Sequence, residues 1–175
     1  MTQQQTQMTK DNPMRQIRIE KVLLSCGATG KDLEKAKMLL SLLSNMKPQV
    51  IASTKRIPTF NVRPGLEVGT RATLRGKKSI ELLKRLLAAK SNTLSESQVS
   101  KNHFSFGIKE YVDIPDVEYQ RDIGIRGFNV TVVFLRPGFR VKRKKIKSGK
   151  VPSKQYISEE EIIKYMEEEF DTEFL

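Results

Sequence analysis

Along this chain, apolar positions alternate with polar ones in some stretches and recur every three or four residues in others. From Ile17 to Cys26, Ile17, Ile19 and Lys21 alternate with Arg18, Glu20 and Val22, and Leu23-Leu24 completes an apolar end, which predicts a strand. Gly27-Ala28-Thr29-Gly30 reads as a turn. Residues 31–46 then place Leu33, Ala36, Leu39, Leu40, Leu43 and Met46 at helical spacing, with Pro48 ending the segment. A short strand is expected over residues 50–54 and a longer one over 66–74. In the longer one Leu66, Val68, Ala72 and Leu74 share one parity and Glu67, Arg71, Thr73 and Arg75 the other. Between these strands Lys55 to Gly65 is too basic and proline-rich for a sheet centre, so it reads as an exposed, hairpin-like loop. A second helix is expected over residues 77–90, with Ile80, Leu83, Leu86 and Leu87 as its apolar stripe.

Asn92 to Lys101 is rich in Ser and Gln and reads as loop, after which Phe104-Ser105-Phe106-Gly107-Ile108 alternates like a strand. Pro115, Gly124 and Gly127 mark residues 113–127 as an ordered run of turns. Phe128 to Leu135 is a strand rich in β-branched and aromatic residues, stopped by Arg136-Pro137-Gly138. Residues 148–153 read as a linker. Ser158 followed by Glu161 fits a capping box, and Ile162, Ile163, Met166 and Phe170 give the last helix an apolar face. Strands and helices mix without regular βαβ alternation. The expected fold is therefore α+β: an antiparallel sheet with helices packed on one face and extended basic loops. The expected division is a flexible tail over 1–12, an α+β domain over 13–147, and a linker with an acidic helix over 148–175.

Charge changes the picture. The net charge of +12 is uneven, because residues 151–175 hold two lysines against eight acids while the first 150 carry 30 basic and 12 acidic side chains. From Arg136 to Lys150 there are eight cations in fifteen residues with no acid among them: Arg136, Arg140, Lys142, Arg143, Lys144, Lys145, Lys147 and Lys150. A solvated face would interleave glutamates, so this arm points to a polyanion, nucleic acid first. Lys55, Arg56 and Arg63 surround Phe60 in the proline-bearing loop, a mixture that suits an RNA backbone and an exposed base or sugar. Arg71, Arg75, Lys77 and Lys78 continue a positive surface from strand into helix.

Other chemistries fare worse. No apolar run approaches the ~20 residues that span a bilayer, and the polar first dozen residues are not a signal peptide. The single cysteine, Cys26, suits a reducing compartment. With one histidine, His103, it supplies no zinc set and no triad-like signature. Gly27-Ala28-Thr29-Gly30-Lys31 opens a helix after a strand. A nucleotide-binding loop, however, needs four residues between its glycines and a Ser or Thr after the lysine, whereas here two intervene and Asp32 follows. Gly76-Lys77-Lys78-Ser79 fails as well, because Arg71 stands where the first glycine belongs. No enzyme, cofactor or metal is expected, and the place expected is the cytosol, with nuclear passage possible.

Several motifs carry a resemblance. Asn12-Pro13-Met14-Arg15 is followed by Ile19-Glu20-Lys21-Val22 and Thr73-Leu74-Arg75-Gly76; then come Phe104-Ser105-Phe106-Gly107-Ile108, Ile123-Gly124-Ile125-Arg126-Gly127 and Arg136-Pro137-Gly138 with its basic arm. In this order they resemble the universal large-subunit ribosomal protein family that carries 5S rRNA, numbered five in bacteria and eleven in eukaryotes. The basic arm with an acidic final helix points to the eukaryotic form. The resemblance implies a structural ribosomal protein in which a sheet face and adjoining loops grip 5S rRNA and large-subunit rRNA in the central protuberance. It implies that the loop matching Ala52 to Pro64 reaches towards P-site tRNA, with Lys55, Arg56, Phe60, Asn61 and Arg63 at its tip. Asn61 stands where common eukaryotic forms have glycine, and asparagine tolerates a left-handed backbone better than most residues. For rRNA, the same resemblance implies Arg18, Lys21, Arg71, Arg75, Lys77 and Lys78, and near the arm Arg126, Arg136, Arg140, Lys142, Arg143, Lys144 and Lys145. The implied protein partners are the other 5S-binding ribosomal protein and a small-subunit head protein across an intersubunit bridge. Implied location is the cytoplasmic ribosome, with nuclear or nucleolar passage during assembly. A general RNA-binding or RNA-chaperone protein without 5S specificity is the alternative, and it accounts for the charge alone.

Overall fold

Val22, Leu24 and Cys26 point into the core from a ten-residue strand that has a neighbour on each side, and the rest of the fold is arranged around it. The computed structural model describes residues 12–175, so the tail expected over 1–12 lies outside the described residues except for Asn12. In chain order the elements are β1 (Arg18–Gly27), α1 (Lys31–Ser44), β2 (Gln49–Ala52), β3 (Glu67–Leu74), α2 (Lys77–Ala88) and β4 (Thr93–Leu94). They continue with β5 (Val99–Ser100), β6 (His103–Ile108), β7 (Phe128–Leu135), the single turn α3 (Arg140–Arg143), α4 (Glu159–Phe170) and β8 (Glu173–Phe174).

Six strands form one antiparallel sheet in the order β2-β3-β1-β7-β6-β5, and β4 pairs with β8 in parallel beside it. Alternation puts Ala72, Leu74, Phe104, Phe106, Ile108, Val130, Val132 and Phe134 on the same face as the inward residues of β1. Helices cover that face: α1 supplies Leu33, Ala36, Leu39, Leu40 and Leu43, and α2 supplies Leu82, Leu83, Leu86 and Leu87. Phe104 stacks on Phe106 at 5.9 Å and on Phe134 at 5.8 Å, and Tyr165 of α4 meets Phe134 edge-on at 5.7 Å. Ile157, Ile162 and Met166 belong to the same core, so the segment expected as linker and acidic helix is packed into the fold. The expected capping box is present, with the Ser158 side chain and Glu161 each bonding the other's backbone N–H.

Some boundaries differ from expectation for identifiable reasons. A bulge between Ile19 and Lys21 shifts the register of β1 against β7. Beyond it, Lys21, Leu23 and Ser25 turn away from the core, which strict alternation from Ile17 does not foresee. Residues 92–101, expected as loop, carry β4, a 3-10 turn and β5: β4 finds its partner far along the chain in β8, and β5 folds back on the adjoining β6 in a tight hairpin. Ile80 is 40% exposed and Leu82 takes its place in the core; Met46 is 47% exposed because Asn45, at φ 50°, ends α1 before it. Gly127 makes a close approach: a Cβ there would lie 2.6 Å from the Lys109 carbonyl oxygen and 2.7 Å from that of Ile108.

Candidate nucleic-acid interface

The face of the sheet opposite the helices is uncovered. Register aligns Gln49, Arg71, Ser25, Asn129 and Gly107 in one row across it, Thr73, Leu23, Thr131 and Ser105 in the next, and Lys21, Val133 and His103 in a third. These rows contain no carboxylate. The Arg71 guanidinium donates from Nε to Gln49 Oε1 at 3.1 Å, which aims it along the first row. Ser25, Gln98, Ser105, Gly107, Asn129 and Thr131 line a shallow hollow of about 290 Å³. A larger one of about 430 Å³ adjoins it at the strand ends, lined by Cys26, Gly27, Lys109, Gly127 and Asn129 among others. Gly107 keeps the row open, since a Cβ there would sit 3.3 Å from Asn129 Oδ1.

Small neutral donors and acceptors at regular spacing are what an RNA minor groove with its 2′-hydroxyls can meet. Ser25, Gln98, Ser105, Asn129 and Thr131 escape a search for charge. The signal that finds Ser105, Asn129 and Thr131 is the outward parity of β6 and β7, which carries Ser, Asn and Thr where a solvated strand would carry Lys or Glu. Cys26 lies beneath this face, its Sγ 3.5 Å from the Gly127 carbonyl oxygen; burial pushes its thiol above the ordinary range, against the Arg126 charge and hydrogen bonding that lower it. His103 is exposed on the third row, with Nδ1 3.1 Å from the Lys101 carbonyl oxygen.

The expected cations outside the loop and the arm fall into three groups. Lys21 and Arg71 belong to the open face itself, and Arg18 is exposed at its margin, donating to Gln16 Oε1 at 3.3 Å. Arg75, Lys77 and Lys78 are exposed where β3 passes into α2, whose first turn holds no acid and whose N-terminus has no side-chain cap. That helix end combines unpaired N–H groups with two lysines, an arrangement suited to phosphate. Arg126 is engaged differently: its side chain is 19% exposed and Nη2 donates to Asp32 Oδ1 at 2.7 Å.

The basic loop stands on a narrow neck. Ser53 N donates to Leu66 O and Gly65 N to Ser53 O, both at 2.8 Å, and Ser53 Oγ donates to Lys55 O at 2.7 Å. Near its tip Ile57 and Val62 exchange backbone bonds of 2.9 and 3.1 Å around a 3-10 turn, Pro58–Phe60, closed by Asn61 at φ 52°. The asparagine therefore holds the left-handed turn as its chemistry allows. Lys55, Arg56, Asn61 and Arg63 surround a Phe60 that is 77% exposed, and all five are exposed.

The arm departs most from expectation. The resemblance places Arg136 against rRNA, but this residue is 4% exposed, and its Nη2 donates to Glu161 Oε1 at 2.7 Å while Nη1 donates to Lys154 O at 3.0 Å. Its guanidinium serves the interior, so it leaves the set of accessible cations. Arg143 pairs with Glu20. Burial raises the Glu20 carboxyl pKa, but the Arg143 bond and charge, with Lys21 and Arg75, outweigh it and hold the group below its ordinary 4.5. Lys142 rests against Phe139 and Tyr156. Arg140, Lys144 and Lys145 are exposed with no side-chain partner among the described residues.

Known proteins share this chain's pattern. Residues 12–63 match the family model described as Ribosomal protein L5, and residues 67–164 match the model of the C-terminus of the same ribosomal family. The large ribosomal subunit protein uL5 of Nanoarchaeum equitans is 40% identical over 168 residues, 94% of this chain and 99% of the relative. Those of Archaeoglobus fulgidus and Sulfurisphaera tokodaii are 36% and 38% identical, covering 90% and 91% of this chain and 89% and 93% of their own lengths. These relatives are archaeal. No helix among the described residues is long and apolar enough to cross a membrane.

Proposed function

The chain belongs to the ribosomal protein L5 family, and from that premise we propose that it is a non-enzymatic structural constituent of the large ribosomal subunit that binds 5S rRNA and large-subunit rRNA in the central protuberance. The observation that carries the reading is the uncovered sheet face, acid-free across three rows, with cations at its margins. Lys21 and Arg71 on that face, with Arg18, Arg75, Lys77 and Lys78 beside it, supply phosphate contacts. Arg140, Lys142, Arg143, Lys144 and Lys145 supply them at the arm, and Arg126 contributes from the strand ends while paired to Asp32.

The loop tip, with Lys55, Arg56, Phe60, Asn61 and Arg63, is directed at P-site tRNA. The other 5S-binding ribosomal protein and a small-subunit head protein complete the partners, and support of subunit assembly and translation follows from them. The site of action is the cytoplasmic ribosome. Nuclear or nucleolar passage during assembly goes with the eukaryotic form.

Competition between 5S rRNA and an unrelated structured RNA of equal length, at several salt concentrations, tests the reading. A preference for 5S rRNA that persists as salt rises means recognition of shape beyond charge. Equal affinities that collapse together would replace this reading by a general RNA-binding or chaperone function.

A further inference from the structure

The basic arm is clasped by the segment that follows it. Gln155 Nε2 donates to the Pro137 carbonyl oxygen at 2.7 Å, and Lys154 O and Glu161 hold the two ends of the Arg136 guanidinium. Further out, Lys142 Nζ donates to the Tyr156 hydroxyl at 3.2 Å and lies 5.7 and 5.6 Å from the ring centroids of Phe139 and Tyr156. Those two rings meet edge-on at 5.7 Å, and Gly149 N closes the arm back on Val141 O at 3.1 Å. The arm thus has its base, middle and end fixed.

Glu161 has two duties in this clasp. Its Oε1 accepts from Arg136, while its Oε2 accepts from the Ser158 backbone N–H at 3.1 Å as half of the capping box. A carboxylate offers two acceptor oxygens and an amide only one, so glutamine cannot serve both partners. The pair is also asymmetric: the Arg136 side chain is 5% exposed and that of Glu161 41%. Removing Glu161 would leave the cost with the buried partner, whose Nε already has none.

We propose that Glu161 is a positioning residue for RNA binding, joining the base of the arm to the first turn of α4 so that Arg140, Lys144 and Lys145 are held in place before RNA arrives. The proposal rests on the reading that this arm meets rRNA. Its physical content is preorganisation: an arm already ordered has less freedom to lose on binding.

Amide hydrogen exchange over residues 139–150, together with 5S rRNA affinity against salt, tests it in the full chain. Glu161→Gln should speed exchange in the arm about tenfold, the loss of one charge-assisted bond, and weaken RNA several-fold at an unchanged salt slope. Arg136→Lys, which keeps the charge but loses the fork, should loosen the arm similarly. Ser158→Ala breaks only the cap and should leave exchange in the arm as it was. Arm exchange unaltered in Glu161→Gln, or accelerated equally by Ser158→Ala, overturns the proposal. Lys144→Ala with Lys145→Ala separates the two levels. It should lower the salt slope without altering exchange, and an unchanged slope would instead remove the arm from the RNA contact and the proposal with it.

Discussion

Replacing Gly127 by alanine tests how the strand ends beneath the open face are held. The added Cβ would meet two backbone oxygens, those of Lys109 and Ile108, at 2.6 and 2.7 Å. Real Cβ contacts are not that short, and neither obstacle is a side chain able to swing aside, so β6 and the turn before β7 must move apart by several tenths of an ångström. Overpacking of this kind costs about 1–3 kcal/mol. In a domain of this size each kcal/mol lowers Tm by roughly 2–4 °C, which places the expected drop between about 2 and 12 °C. The displacement also reaches the candidate site, because Gly107 and Asn129 face each other across β6 and β7 close to this corner. RNA affinity should therefore fall even below the melting range. Gly27→Ala is the control, since a Cβ there meets nothing within 4 Å. Thermal melts followed by RNA titration decide the matter. If Gly127→Ala melts within about a degree of the parent protein, or if Gly27→Ala is equally damaging, the close approach is not what fixes this corner.

Three further outcomes are expected. Changing Arg140, Lys144 and Lys145 together to alanine should leave Tm unaltered and reduce the slope of log affinity against log salt by about 2, and an unchanged slope would show that these cations do not meet phosphate. Phe60→Ala should change stability by less than about 0.5 kcal/mol and spare 5S rRNA binding while impairing tRNA positioning in reconstituted subunits; lost 5S binding would place the loop elsewhere. Because the Glu20 pKa is depressed in the fold, its contribution is present above pH 4.5 and is lost as the pH falls through the lower folded value. Exchange at Arg143 and its neighbours should accelerate in that acid range, and Glu20→Gln should abolish the pH dependence; the same acid response in that variant would assign it to another group.

Much of this architecture could be read from periodicity, because local pattern and tertiary environment agree there. Phe128 to Leu135, rich in β-branched and aromatic residues, is β7. Ser158 and Glu161 meet as a capping box because both partners lie within one helical turn. What escaped depends on residues distant in sequence. No local pattern tells that Thr93-Leu94 will pair with Glu173-Phe174, or that an extra residue in β1 will turn Lys21 outward. Arg136 escaped for the same reason: in sequence it is one cation among eight, and only the folded position of Glu161 distinguishes it. Charge counting also overlooked Ser25, Ser105, Asn129 and Thr131, which become a surface only when register aligns them.

Charged arm and neutral sheet face differ in how each can choose a ligand. The accessible arm cations are long side chains on an irregular segment, and phosphate is the same on every RNA, so they raise affinity while discriminating little. The sheet face is the opposite case. Its donors and acceptors are short side chains on paired strands, fixed by the ladder at about 4.8 Å between neighbours, with little rotamer freedom to accommodate a mismatched surface. An RNA whose backbone and 2′-hydroxyls do not match those rows would leave Asn129, Ser105 and Thr131 desolvated and unpaired, at roughly 1–3 kcal/mol for each buried group. On the proposed reading, selectivity therefore belongs to the part of the surface with the least charge. The Arg136–Glu161 pair joins the base of the arm to α4, and under the proposal it would offer phosphate contacts and groove contacts to one RNA in a fixed relation.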